Sequence, residues 1–192
     1  EGEQPPFKVA YGRNNSEQGV ARNPGDSFDI ASVSKEFTAV SILQLVEQGQ
    51  MALDDPISKY FDDLPNGDQV TIHHLLSHTH GLPQIRSAST YDEPVPRELE
   101  VALGHIRERG AQFPPGEGYA YGNTSYYLLA VIAEKVSGVS RQDYLRERLF
   151  EPAGMRETFI ASDNPSGSSE SVGYNEQDGA WEPRVLGFLP SH

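Results

Sequence analysis

Apolar residues recur at helical spacing in three long stretches of the chain. Residues 97–109 carry charges outside and apolar side chains inside, and Gly110 closes them. Thr124–Ser137 has the same character and is ended by Gly138. In the remaining stretch, which Gly49 closes, the apolar positions are Val33, Phe37, Val40, Leu43 and Val46. The pattern predicts three helices, with Leu99, Leu103 and Ile106 on the inner face of the second.

Capping residues predict three shorter helices. An Asp-Asp-Pro sequence opens residues 54–60 and has the form of a cap followed by a first-turn proline. Thr71 is the expected cap of a short helix over residues 71–77. Ser140 begins one more helix, with Asp143 at capping-box spacing.

Strand signals are weak by comparison. Residues 7–11 alternate enough to suggest a strand, and beyond residue 171 we expect strand only within residues 181–189. Residues 162–171 are rich in Ser, Gly and Asn and are interpreted as a loop or linker. The chain is therefore predicted to be a helical body with very little sheet.

The composition excludes or disfavours several classes of function. The 192 residues carry a formal net charge of −13, and so acidic a surface disfavours nucleic acid as a partner. No apolar run approaches the roughly 20 residues that a membrane-spanning helix needs. The chain has no cysteine, which excludes thiol nucleophiles, disulfides and cysteine-ligated zinc.

Ser32 and Lys35 are the first candidate catalytic pair. Residues three apart share a face of a helix, so the Lys35 amine can reach the Ser32 hydroxyl. Serine needs an adjacent base to become a nucleophile, and the positive potential of a helix N-terminus favours the oxyanion of acyl transfer. The competing interpretation is a helix cap followed by a solvated lysine, because such a pair is common by chance.

Tyr121 and Asn123 strengthen the first interpretation. They follow Pro115 and Gly116 in a loop that ends where the helix Thr124–Ser137 begins. Alternate residues of an extended loop point the same way, so both side chains can enter one cavity. A phenol can pass a proton and a carboxamide can hold a substrate amide. A packed aromatic beside a helix-capping Asn is the alternative.

Four histidines, His73, His74, His78 and His80, crowd within eight positions, and His74 and His78 have a spacing that can bind zinc on a helix. No Glu lies between that pair in the metalloprotease arrangement. We therefore predict no metal site and no cofactor.

Three blocks together carry a family resemblance. Ser32-Val33-Ser34-Lys35 is followed by Leu-Leu-Ser-His-Thr at 75–79 with Gly-Leu-Pro at 81–83, and then by Tyr-Gly-Asn at 121–123. In this order the blocks resemble the class C β-lactamase group, which includes DD-peptidases, D-amino-acid peptidases and esterases. The resemblance implies that Ser32 is the acylated nucleophile, that Lys35 and Tyr121 share the proton transfers, and that Asn123 contacts the substrate.

Two departures from the family pattern stand out. His80 occupies a position where the family usually has serine. The family's third motif, Lys or His followed by Thr or Ser and Gly on a late strand, has no match after Leu149. The expected fold is α+β, of the β-lactamase/transpeptidase-like type, with the helical lobe dominant and much of the antiparallel sheet missing. Within a single unit of 1–192 we expect a sheet-side segment 1–31, a helical lobe 32–161 and a loop-rich segment 162–192.

The predicted function is that of a serine hydrolase that cleaves an amide or ester of a small-molecule or peptide substrate through an acyl-enzyme. The alternative is a non-catalytic homologue or binding protein that lacks the late-strand motif. Unpaired strand edges would favour a homo-oligomer or a second chain that supplies the missing strands. The resemblance slightly favours a periplasmic or secreted location, although no signal segment opens this chain.

Overall fold

Helices dominate the computed structural model, which describes residues 7–15, 19–85, 98–160, 174–177 and 179–183. Within these residues the α-helices are α1 (Ser34–Glu47), α2 (Ile72–Leu76), α3 (Leu99–Arg109), α4 (Thr124–Ser137) and α5 (Arg141–Leu145). Short 3-10 turns cover Ala31–Val33 and Ile57–Lys59, and a π-helical turn, Arg146–Phe150, continues α5. The three long helices predicted from apolar spacing are confirmed to within a few residues.

Helix α1 buries a different face from the one that its apolar spacing suggests. Leu45 and Ile42 are fully buried, together with Thr38 and Ser41. Val33, Val40 and Leu43, from the regular apolar series, are exposed. The helix has apolar residues all round, so spacing alone does not distinguish its inner face.

The core lies where α1 and α2 pack against α4, and α5 packs against both α1 and α4. Helix α4 buries Leu128, Leu129 and Ile132, and it ends at Gly138, whose left-handed φ of 69° suits glycine. Helix α3 adds Leu103 and Ile106 to the same core, as predicted, while Leu99 is partly buried. Helices α1 and α4, which border the candidate site, both contribute to this core.

The short helices begin as their capping residues indicate, with one exception. Thr71 accepts a hydrogen bond from the His74 N–H, and Ser140 accepts one from the Asp143 N–H. The Asp-Asp-Pro prediction is wrong in detail, because Pro56 is the extended N-cap of a 3-10 turn and no side chain caps it. The Asp55 carboxylate instead accepts hydrogen bonds from the Ala52 N–H and from Lys59.

The described strands form two antiparallel pairs, β1 (Arg13–Asn15) with β2 (Val20–Ala21) and β3 (Tyr174–Gln177) with β4 (Ala180–Pro183). The predicted strand at residues 7–11 is wrong, since strand begins only at Arg13. Strand β3 was missed, because its polar sequence hides its pairing with β4. The predicted linker 162–171 and residues 184–189 lie outside the described residues.

The chain divides into two compact units. One takes its described residues from the segments before Ser32 and after Arg156 and contains both strand pairs. The other extends from Ser32 to Arg156 and contains all five α-helices. No helix among the described residues is long and apolar enough to cross a membrane. The domain boundaries expected from the sequence stay predictions.

Candidate active site

Ser32 lies in the 3-10 turn that leads directly into α1, and Val33 is the N-cap of that helix. The first N–H groups of an α-helix have no partner within the helix and carry a partial positive charge. Ser32 is therefore placed beside the end of α1 that stabilises a developing negative charge, as the sequence predicts.

Lys35 joins the two parts of the predicted cluster. Its Nζ donates a hydrogen bond of 3.2 Å to the Ser32 Oγ and one of 2.9 Å to the Asn123 Oδ1. The first bond follows from the i+3 spacing on one helix, whereas the second spans 88 positions of sequence. The amine thus connects α1 with the loop that precedes α4.

Tyr121 completes the cluster, although its side chain is 54% exposed. Hydrogen bonding with Ser32 is the largest cause that lowers the pKa of the Tyr121 phenol, burial opposes it, and the hydrogen bond and charge of Lys35 add smaller decreases. The Lys35 Nζ also lies 5.0 Å from the centroid of the Tyr121 ring. A phenol held this way is suited to accept a proton from Ser32.

Asn123 occupies the N-cap position of α4 but does not use its side chain as a cap. Its Oδ1 accepts the hydrogen bond from Lys35 instead. The structure therefore distinguishes the two interpretations that the sequence left open: the position belongs to the helix cap, and the carboxamide belongs to the cluster.

The loop that carries Tyr121 is attached to the segment 78–81 by backbone hydrogen bonds. The Gly116 N–H donates to the Thr79 carbonyl at 2.8 Å, and the Ala120 N–H donates to the His78 carbonyl at 3.0 Å. Gly81 permits this approach, because a Cβ there would lie 2.0 Å from the Phe113 carbonyl oxygen and its φ is 68°. The second motif block therefore supports the third.

His78 lies behind the cluster, a placement that the sequence interpretation missed. Its Nδ1 is 3.1 Å from the Ser125 Oγ, and its ring centroid is 4.7 Å from that of Tyr121 and 5.1 Å from that of Tyr126. Burial, and to a lesser extent the Lys35 charge, lower the pKa of His78. The lowered pKa favours the neutral form of the imidazole that lies beside the Tyr121 ring.

Of the other three histidines in this segment, two form hydrogen bonds away from the cluster. The His74 Nδ1 accepts from the Thr71 N–H at 3.2 Å, which completes a capping box. The His80 Nδ1 accepts from the Leu82 N–H at 2.9 Å. His73 is exposed. Among the described residues no group of three His, Cys, Asp or Glu side chains could hold a metal ion.

Gln84 is a second residue that the sequence interpretation missed. Its Oε1 accepts a hydrogen bond from the Asn123 N–H at 3.1 Å. The sequence indicates Gln84 only by its position directly after Gly81-Leu82-Pro83, one of the blocks that carry the family resemblance.

A serine hydroxyl, a lysine amine, a phenol and a carboxamide thus meet at one place, an arrangement suited to acyl transfer through serine. The fold is of the β-lactamase/transpeptidase-like class. A penicillin-binding protein of Bacillus halodurans aligns with 99% of this chain and 61% of its own, at 35% identity and a TM-score of 0.83. An octameric penicillin-binding protein homologue from Pyrococcus abyssi aligns over 93% and 43%, at 33% identity and a TM-score of 0.80.

The sequence narrows this class to a family. A model of the Beta-lactamase family matches residues 1–190, and the chain belongs to that family. A penicillin-binding protein of Bacillus subtilis (strain 168) is 39% identical over 69% of the chain. D-amino acid amidase from Ochrobactrum anthropi SV3 is 31% identical, with a TM-score of 0.75 over 88% of this chain and 51% of its own. The structural neighbours thus include an enzyme that acts on amides as well as penicillin-binding proteins.

The chain is shorter than these relatives. It spans 30% of the length of the Bacillus subtilis protein and 61% of the Bacillus halodurans chain.

Proposed function

We propose that this protein is a serine hydrolase in which Ser32 is acylated by an amide or ester substrate. The observation that carries the proposal is the hydrogen bond of 3.2 Å between the Lys35 Nζ and the Ser32 Oγ, with the centroid of the Tyr121 ring 5.0 Å from the same Nζ. The relatives do not favour the non-catalytic alternative, because a D-amino acid amidase is among those above 30% identity.

In the proposed reaction the Ser32 Oγ attacks the carbonyl carbon, and its proton passes to the Tyr121 oxygen or to the Lys35 amine. The carbon–nitrogen or carbon–oxygen bond to the leaving group then breaks, and the leaving group takes up that proton. The acyl group stays on Ser32 until water or another acceptor removes it. The lowered pKa of Tyr121 supports a role for its phenolate as the base. Asn123 would contact the acyl side of the substrate.

The Ser32 backbone N–H, at the start of α1, is the proposed first donor to the oxyanion. The family's late-strand motif, which supplies the second donor, has no match in this sequence. Loss of one such donor typically slows catalysis by about 100- to 1000-fold. We therefore propose that Ser32 is acylated and that the reaction is slower wherever the second donor is absent.

Labelling with a fluorophosphonate tests the proposal directly. The intact mass of the 192-residue chain should rise by one phosphonyl group, and Ser32→Ala should abolish the rise. Ser34→Ala is the matched control, because it removes a serine from the same block two positions away and should still label. An adduct that persists in Ser32→Ala, or a folded chain that stays unlabelled from about pH 6 to 10, contradicts the proposal.

The substrate class is proposed from the relatives. The amidase and the penicillin-binding proteins support a D-amino acid amide, a peptide or a penicillin, and the octameric homologue supports self-association. A panel of D- and L-amino acid amides, a penicillin and a p-nitrophenyl ester would rank these substrates, with Ser32→Ala as the blank for each.

A further inference from the structure

We propose that Gln84 is a positioning residue for the catalytic cluster: its carboxamide holds the loop backbone on both sides of Gly122 and so sets Tyr121 and Asn123 against Lys35. The inference rests on the proposed function for its catalytic consequence. The clamp itself is a matter of geometry and can be tested without turnover.

A single side chain contacts both residues that the cluster needs. The Gln84 Oε1 accepts from the Asn123 N–H at 3.1 Å, and its Nε2 donates a longer bond of 3.5 Å to the Tyr121 carbonyl. Both partners are backbone groups, so the contact orients the loop and leaves the phenol and the carboxamide of the cluster unoccupied.

Gly122 fits this clamp because it lacks a side chain. A Cβ at this position would lie 1.8 Å from the Gln84 Nε2, 2.1 Å from its Oε1 and 2.2 Å from its Cδ. Any larger residue would therefore displace the Gln84 carboxamide. The φ of Gly122 is not in the left-handed region, so alanine is compatible with the backbone and acts mainly through this clash.

Three hydrogen bonds fix the backbone at Gln84 and at the residues on either side of it. The Arg109 Nη1 of α3 donates to the Gln84 carbonyl at 2.7 Å. On either side of Gln84, the Thr124 hydroxyl donates to the Pro83 carbonyl at 2.8 Å and accepts from the Ile85 N–H at 2.9 Å. A positioning residue requires a backbone that is fixed by hydrogen bonds in this way.

The effect on the cluster follows from the distances. The Asn123 Oδ1 accepts a hydrogen bond of 2.9 Å from the Lys35 Nζ, and the centroid of the Tyr121 ring lies 5.0 Å from the same Nζ. Without the clamp, the loop gains freedom at Gly122, between these two residues. A misplacement of about 1 Å in a catalytic group can cost about 100-fold in rate.

A double-mutant cycle tests the clamp in the full chain, with Gln84→Ala, Gly122→Ala and the double variant. The first readout is the titration of the Tyr121 phenol by NMR with tyrosine labelled at the Cζ carbon, assigned with Tyr121→Phe. The second readout is the rate of fluorophosphonate labelling. Gln112→Ala, which removes an exposed glutamine at the start of the same loop, is the control.

Both single variants should raise the Tyr121 titration midpoint towards its ordinary value and slow labelling by about 10-fold or more. The double variant should behave like Gln84→Ala, since the alanine Cβ at position 122 then meets no carboxamide. Thermal unfolding should change little, and the control should match the wild type. Gln84→Met, which keeps the side-chain length without the two hydrogen bonds, replaces Gln84→Ala if that variant does not fold.

An unchanged Tyr121 midpoint in the Gln84 variant, or additive effects in the double variant, would overturn the clamp. The two proposals can fail separately. If the Tyr121 midpoint shifts as expected but neither the wild type nor any variant is labelled at Ser32, the clamp is supported and the proposed hydrolase function is wrong.

Discussion

Tyr121 is the residue whose chemistry depends most on its neighbours. Hydrogen bonding with Ser32 has the largest effect on its ionisation and lowers its pKa, burial opposes that effect, and the hydrogen bond and charge of Lys35 lower the pKa further. A phenol with a lowered pKa is more often ionised at a given pH and is therefore more often ready to accept a proton.

Lys35→Met should raise the pKa of the Tyr121 phenol, because it removes one hydrogen bond and the adjacent positive charge. The midpoint of the Tyr121 titration should rise towards the ordinary value of 10.0, and the pH at which Ser32 labelling reaches half its maximum should rise with it. Lys59→Met, at an exposed lysine that pairs with Asp55, is the control. Equal midpoints in Lys35→Met and wild type would remove Lys35 as the cause.

His80 should make the stability of the fold depend on pH. The residue is completely buried, and burial together with the His78 and His74 charges lowers its pKa from 6.5 to about 4. Below pH 6.5 the unfolded chain binds a proton at this residue that the folded chain does not bind, so stability falls as the pH falls and levels off near pH 4. The loss is at most about 3.4 kcal/mol.

Chemical unfolding between those two pH values measures this contribution. His80→Asn keeps an acceptor for the Leu82 N–H and does not titrate, so its unfolding free energy should change less with pH than that of the wild type. His73→Asn, at an exposed histidine, should retain the wild-type slope. If His80→Asn has the same pH slope as the wild type, burial of a neutral His80 is not the cause.

At the scale of elements, the first residue of α4 attaches that helix to the segment 83–85. The Thr124 side chain is completely buried, and its hydroxyl donates to the Pro83 carbonyl and accepts from the Ile85 N–H. The methyl and hydroxyl of threonine thus occupy a site where two backbone groups have no access to water.

Thr124→Val should lower the free energy of unfolding by about 1–3 kcal/mol, because a methyl group replaces the hydroxyl and leaves both backbone groups unpaired. Thr124→Ser should lose less, since it keeps both hydrogen bonds. Denaturant unfolding followed by circular dichroism gives both values. A valine variant as stable as the wild type would mean that the two backbone groups find other partners.

Two leucines on α1 form a matched pair for the buried face of that helix. Leu45 is 0% exposed and Leu43 is 48% exposed, two positions apart. Leu45→Ala should therefore cost about 2–5 kcal/mol, whereas Leu43→Ala should stay within about 0.5 kcal/mol. Unfolding of the two variants under the same conditions measures the difference. Equal losses of unfolding free energy would mean that the buried face of α1 has been assigned incorrectly.

At the scale of the whole molecule, the small described sheets and the net charge both bear on self-association. Both sheets are two-stranded, so every strand in them has one side without a partner strand in the part of the chain that the structure describes. Two-stranded sheets are marginally stable by themselves and such edges invite pairing with another chain. A net charge of −13 opposes association at low salt.

The proposed self-association should therefore strengthen as salt screens the charge. Light scattering over a range of salt and protein concentrations should show a solution mass that rises above 21.2 kDa. A mass that stays at that value under all conditions would argue against pairing through strand edges.

The success of sequence prediction differed between helices and strands. Thr71, Ser140, Gly110 and Gly138 marked helix ends correctly, because each acts through hydrogen bonds or backbone conformation within a few residues. Strand β3 was missed and residues 7–11 were wrongly predicted as strand, because strand formation depends on a partner that a local pattern does not reveal.

The sequence by itself determined the bounds of the long helices and the neighbourhood of Ser32 and Lys35, since contacts three or four residues apart decide both. Only the tertiary structure decided which face of α1 is buried, whether Asn123 caps a helix or contacts Lys35, and that Gln84 holds the loop at Gly122. These features depend on groups that the fold brings together from 39 to 88 positions apart, and no local pattern specifies such a pairing.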